Sequence, residues 1–318
     1  MRAIMKKIIL ILPYFGNFRN DFYFWMKSVE YNNSVDFLIF TDNTLSNIPS
    51  NVRVVQCQLE DIENMAIQKL GVVVKLSGRP YKLCDLRPAY GEIFSNYLNG
   101  YDYWGHCDSD LIFGNIRSFI TNDILDKYER ILVRGHLTIY KNTREINGMY
   151  RLCQKPYYKE VFQDTTKPYQ FDEWNGTTNY WVDNRPDKVF NEIIFDDILS
   201  NEYDFHSAQK RKEDIKKKNV MFSFIEGTLY RIYEENEIVK YEETCYVHFQ
   251  KRHLKICTSV SEKFSMIPNK YIDYVPNVTV SYLRKKIRSG KFWHYYHRAP
   301  AYFKRKKSSL LKVLFKFS

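Results

Sequence analysis

Tyr101-Asp102-Tyr103-Trp104-Gly105-His106-Cys107-Asp108-Ser109-Asp110 is the stretch on which the fold turns. Strand-forming and aromatic residues dominate from Tyr101 to Cys107, and the run stops at two carboxylates one residue apart. Asp108-Ser109-Asp110 is the only D-x-D in the chain. With 19 aspartates in 318 residues, about one such tripeptide arises by chance, so its place at a strand end is what gives it meaning. Two carboxylates at i and i+2 in that position can share one hard divalent ion, which can in turn hold a diphosphate.

Working outward, residues 7–12 (Lys-Ile-Ile-Leu-Ile-Leu) form a continuous apolar run, the pattern of a strand buried on both faces of a parallel sheet. The turn Pro13-Tyr14-Phe15-Gly16 ends it. A helix is expected over 20–31, a strand over 35–40 stopping at Thr41-Asp42-Asn43, a strand over 51–57, and a helix over 60–70 closed by Gly71. One long helix is expected over 82–98, strands at 130–134 and 136–140, and a helix over 186–199 with Asp196-Asp197 on its face. This alternation predicts an α/β fold with a mostly parallel central sheet. In such sheets ligands sit beyond the carboxyl ends of the strands, and two of the three ends read here carry acids. With no clean linker before about residue 275, residues 1–275 read as one domain, followed by a segment 276–318.

Several classes are excluded. The chain has no G-x-G, no G-x-x-x-x-G-K-[ST] and no G-x-S-x-G, so a dinucleotide fingerprint, a P-loop and a nucleophile elbow are absent. None of the six cysteines forms a C-x-x-C pair, which argues against zinc ribbons and thioredoxin-like redox motifs. The cysteines read as reduced, and the apolar run before Pro13 is too short for a signal-peptide core, so a cytoplasmic location is expected. The net charge of +11 is all in the tail: Arg284 to Lys316 holds twelve basic residues, and no acid follows Asp273. The remainder carries 36 basic against 37 acidic residues. A neutral body offers no basic groove, so no nucleic-acid partner is expected.

Together, a strand-end acid (Asp42), the run Pro80-Tyr81-Lys82-Leu83-Cys84-Asp85-Leu86-Arg87-Pro88-Ala89-Tyr90-Gly91, and the strand ending in Asp108-Ser109-Asp110 resemble bacterial glycosyltransferase-like proteins of capsule and lipopolysaccharide gene clusters. Their nucleotide-sugar domain has the GT-A fold. The resemblance implies manganese or magnesium on Asp108 and Asp110, with His248 as a further metal ligand. It implies a donor contact at Asp42, and further donor-binding groups in Lys82, Asp85, Arg87, Asp108 and Lys251.

Asp172-Glu173-Trp174, in a turn-rich segment, suits acceptor recognition. Trp174 can stack on a sugar ring, and Glu173 or Asp172 can take the acceptor proton if the reaction inverts the anomeric centre. His136, in Arg134-Gly135-His136, is a second candidate acceptor contact.

The tail interleaves basic clusters with Phe292-Trp293, Tyr295-Tyr296 and Tyr302-Phe303 and ends in an apolar run, which suits an anionic membrane surface. The resulting expectation is a metal-dependent hexosyltransferase, peripheral on the inner face of the cell membrane. It would move a hexose, with galactose in pyranose or furanose form as the resemblance's suggestion, from a UDP-sugar to a lipid-linked saccharide. The competing readings are a catalytically silent sugar-binding or scaffold relative and a metal-dependent nucleic-acid-binding protein.

Overall fold

The computed structural model describes residues 5–200, 202–209, 216–250 and 252–287, and the chain divides into two compact units, 1–195 and 196–318. The sequence, by contrast, shows no composition shift near residue 195, because both units are equally rich in aromatic residues.

The first unit is built on strands β1 (Ile8–Pro13), β2 (Val35–Thr41), β3 (Val52–Gln56), β4 (Tyr103–Cys107), β5 (Leu111–Phe113), β6 (Arg130–Arg134), β7 (Leu137–Lys141) and β8 (Val189–Phe190). Seven of them form one sheet in the order β3-β2-β1-β4-β7-β6-β8. Pairing is parallel from β3 to β4 and at β6/β8, and antiparallel at β4/β7 and β7/β6, so the sheet is largely parallel as the alternation implied. β1 buries every residue from Ile8 to Leu12, as a strand covered on both faces must. Gly105 lies mid-strand in β4, where a Cβ would strike the Thr138 carbonyl and Leu10.

Two regular helices follow the pattern read from the sequence. α1 (Phe22–Glu30) buries Phe22, Trp25, Met26 and Val29, and α2 (Leu59–Leu70) buries Ile62, Ala66 and Leu70 at four-residue spacing. A reciprocal Gln58–Asp61 capping box starts α2, and Gly71 ends it at φ +65°, a left-handed conformation that suits glycine.

Residues 82–98 do not form one helix. The path is broken into single turns: Pro80–Lys82, Leu83–Leu86, Arg87–Ala89, Tyr90–Ile93 and Ser95–Tyr97. Pro88 has no N–H to give an i−4 carbonyl and its ring crowds the preceding turn, so the α-ladder cannot pass through it. The helix expected over 186–199 is also absent. A 3₁₀ turn at Pro186–Lys188 leads into β8, and Asp196–Asp197 form a strand, β9.

The second unit contains β9 and strands β10 (Lys218–Ile225), β11 (Thr228–Glu235), β12 (Ile238–Glu243), β13 (Tyr246–His248), β14 (Lys255–Ile256), β15 (Lys263–Ile267) and β16 (Lys270–Asp273). A six-stranded sheet runs β12-β11-β10-β15-β16-β14, and β13 pairs in parallel with β9. Its tight hairpins turn on Glu226-Gly227 and Asn236-Glu237, all four at positive φ, the geometry of type I′ turns that match strand twist. Helical backbone over 280–287 sets Leu283 and Ile287 into a core with Met221, Ile232 and Ile267. Arg284 in this stretch pairs with the buried Glu234 carboxylate of β11. The tail's aromatic clusters, from Phe292 on, lie outside the described residues.

Candidate active site

The D-x-D is held in place by its backbone. The Asp108 N–H donates to the His136 carbonyl at 2.9 Å, and its carbonyl accepts the Trp25 indole N–H at 3.1 Å. α1 supplies more of this support. Ser28 Oγ accepts the Phe113 N–H, and Asn32 beyond the helix end accepts from Ile116 N–H and donates to the Gly114 carbonyl. Positions 25, 28 and 32 recur on one helix face, so a single helix orders the chain from 108 to 116.

The two carboxylates lie beside arginines. Arg87 is the hub: Nη1 donates to the Gly135 carbonyl at 2.6 Å and to Asp172 Oδ2 at 2.9 Å, while Nη2 donates to Asp108 Oδ1. Burial opposes the Arg87 charge, yet Asp108 and Asp172 overcome it and keep the guanidinium protonated. Asp110 Oδ2 lies 3.8 Å from Arg19 Nη1, and Arg19 is itself clamped to Asp21 at 2.8 and 2.9 Å. Sequence reasoning missed Arg19 and Trp25. Their neighbours in sequence carry no motif, and only the fold brings them to residues 108–110.

Asp172 is 1% exposed, and burial raises its carboxyl above the ordinary range despite Arg87. Its carboxylate anchors Arg87, a partner that the sequence did not indicate. Glu173 and Trp174 are differently placed. Glu173 is only partly buried, and its carboxyl lies over Gly135 so closely that a Cβ there would collide with Oε1; Trp174 is 42% exposed. Gly176 closes this turn against the Phe171 backbone, where no side chain fits.

Other expected site residues have structural work. Lys82 and Asp85 form a buried ion pair at 2.7 Å; Lys82 also donates to the Val161 carbonyl, and Asp85 accepts the N–H groups of Tyr169 and Phe171. These bonds tie the segment before Asp172 to the turn at residue 82, so this pair positions the site from within. Asp42, exposed beyond β2, accepts the Gly16 N–H and binds the loop after β1. His136 is 7% exposed with its ring edge-on to Phe195, and its link to the D-x-D is through its backbone carbonyl.

In the second unit, His248 ends β13, and Nδ1 lies 2.8 Å from Asp197 Oδ1. Gln250 lies two residues beyond the strand end at His248. It sits past the strand at φ +52°, and its amide still reaches Asp197 Oδ1 at 3.0 Å. These bonds hold the Asp197 carboxyl below the ordinary range against the opposing effect of burial. Lys251 lies outside the described residues. Arg252 is buried and donates to the Tyr203 and Leu199 carbonyls.

The model of the family of unknown function DUF6625 matches residues 10–275. The chain belongs to that family. No curated protein matches it. Among solved structures it is similar to mouse xyloside xylosyltransferase 1 in its apo form (TM-score 0.34, 8% identity, covering 62% of this chain and 88% of that one). It is also similar to the glycosyltransferase GlyE of Streptococcus pneumoniae TIGR4 (TM-score 0.34, 11% identity, 59% of this chain and 45% of that one). A third is the galactosyltransferase LgtC in complex with donor and acceptor sugar analogs (TM-score 0.33, 11% identity, 60% and 75%). At TM-scores this low, the functional reading rests on the site's own residues.

Proposed function

We propose that this chain is a metal-dependent glycosyltransferase that moves a hexose from a UDP-sugar to a saccharide acceptor. One observation carries the reading: Asp108, fixed through its backbone at the carboxyl end of a buried strand, and Asp110 two residues on are flanked by Arg87 and Arg19. Hard carboxylate oxygens suit manganese or magnesium, and two nearby guanidinium groups suit the charge of a diphosphate. Asp108 and Asp110 would hold the ion, with His248 as the further ligand that the sequence resemblance supplies. When bound, the ion would offset charge developing on the diphosphate leaving group.

Arg87 orients Asp108 and offers a cation within the donor's reach. Glu173, partly exposed beside Trp174, would meet an acceptor hydroxyl, as base in an inverting reaction or as a positioning group in a retaining one. Exposed Trp174 offers an apolar face for a sugar ring. No helix among the described residues is long and apolar enough to cross a membrane. The tail's interleaved basic and aromatic residues support the further proposal that it brings the enzyme to an anionic inner leaflet, where a lipid-linked acceptor would lie.

The test is UDP release from a panel of UDP-hexoses with manganese, with and without saccharide acceptors. Wild type is expected to turn over at least one donor, Asp110→Ala none, and Glu173→Gln to retain donor binding with strongly reduced transfer. Binding of UDP without turnover of any sugar would instead identify a silent relative. For the tail, wild type should co-sediment with phosphatidylglycerol vesicles while a chain ending at residue 287 should not. Equal sedimentation of the two would remove the membrane role.

A further inference from the structure

Asp196 and Asp197 are adjacent on β9 yet have separate partners. Asp196 pairs with Arg231 of β11 at 3.1 Å, a contact that holds the second unit's own sheet elements together. Asp197 stands opposite His248 in the parallel β9–β13 register, and its Oδ1 meets the imidazole Nδ1 at 2.8 Å. Both side chains are mostly shielded, 13% and 11% exposed. The Gln250 amide donates to the same Oδ1, the Gln209 amide lies 3.5 Å from Oδ2, and the Asp197 carbonyl accepts the Ala208 N–H at 2.6 Å. The carboxylate is thus held from several sides at one place on the imidazole ring.

An ionised carboxylate can only accept, so Nδ1 must carry the proton in this pair. In the neutral ring the lone pair then lies on Nε2. We propose that Asp197 is a positioning residue that fixes His248 in its Nδ1–H tautomer and aims Nε2 as a donor to a divalent cation. This rests on the reading above, in which His248 belongs to the metal's ligand set. A carboxylate behind a ligating histidine sets ring orientation and raises the basicity of the ligating nitrogen. Without Asp197 the ring can rotate and exchange tautomers, so a fraction of molecules would present an N–H to the cation.

Two measurements on the full chain test this. Long-range ¹H–¹⁵N correlation of the metal-free wild type reports which His248 nitrogen carries the proton. The expected result is Nδ1–H, and an Nε2–H ring overturns the proposal whether or not any variant folds. Manganese titration followed by electron paramagnetic resonance then compares wild type, Asp197→Ala and His248→Ala. Asp197→Ala should weaken manganese binding roughly 10- to 100-fold, approaching His248→Ala. Wild-type binding that Asp197→Ala leaves unchanged overturns the proposal alone. Failure of the wild type to bind manganese overturns the metal-dependent reading itself, and with it the role of Asp197.

Discussion

Arg87 shows how one side chain can organise a site. Its guanidinium joins Asp108, Asp172 and the Gly135 carbonyl, which come from three distant parts of the chain. A lysine has one charged nitrogen and no planar fork, so Arg87→Lys cannot keep all three contacts. The expected outcome is at least about tenfold weaker binding of UDP with manganese, read by calorimetry, with the fold retained by circular dichroism. Lys82 and Asp85 make the opposite case. Asp85 is fully buried and serves Lys82 and two backbone N–H groups, so Asp85→Ala strands a buried cation. Urea unfolding should show a loss of about 3–5 kcal/mol. The sequence gives both residue types at sensible spacing but cannot tell which faces a ligand. That distinction depends on residues 161–172 folding back over them.

Elements were legible where periodicity was strong. β1, β2, α1 and α2 follow directly from apolar runs and helical spacing, because buried strands and amphipathic helices constrain every residue. The long helix expected over 82–98 does not form because, although its apolar spacing is helical, Pro88 breaks the ladder. The strand at Asp196–Asp197 was misread because two residues are too few to show a period, and its partner is residues 246–248. The hairpins at Glu226-Gly227 and Asn236-Glu237 lack an Asn-Gly or Asp-Gly pair, so the sequence does not announce them, although all four residues take positive φ. The turn joining β6 to β7 gives a prediction at this scale. Gly135→Ala places a methyl where the Glu173 carboxyl rests, so Glu173 must move. Transfer should fall about 100-fold with melting temperature little changed, since a small misplacement at a reacting group is costly. Equal activity in Gly135→Ala would remove Glu173 from the reaction.

At the scale of the whole molecule, the first unit carries the D-x-D and its arginines, and the second carries the Asp197–His248 pair and the docked 280–287 helix. Stability of the second unit should respond to acid through Glu234. The bonds from Arg284 hold its carboxyl below the ordinary 4.5, with burial opposing and Asn219 adding to the effect. A carboxyl lowered by folding stabilises above its unfolded value and loses that contribution as pH falls through its folded value. Wild-type melting temperature should therefore drop on acidification below about pH 4.5 more steeply than that of Glu234→Gln. Parallel curves would mean the Arg284 pair contributes nothing. The central claim concerns the strand end at Asp108-Ser109-Asp110. Calorimetric titration of UDP into wild type and Asp110→Ala, each with and without manganese, tests it most directly. Saturable, manganese-dependent binding to the wild type is expected, with its loss in the variant. Binding that ignores both manganese and Asp110 would overturn the assignment of the donor site to the D-x-D, as would the absence of any binding to the wild type.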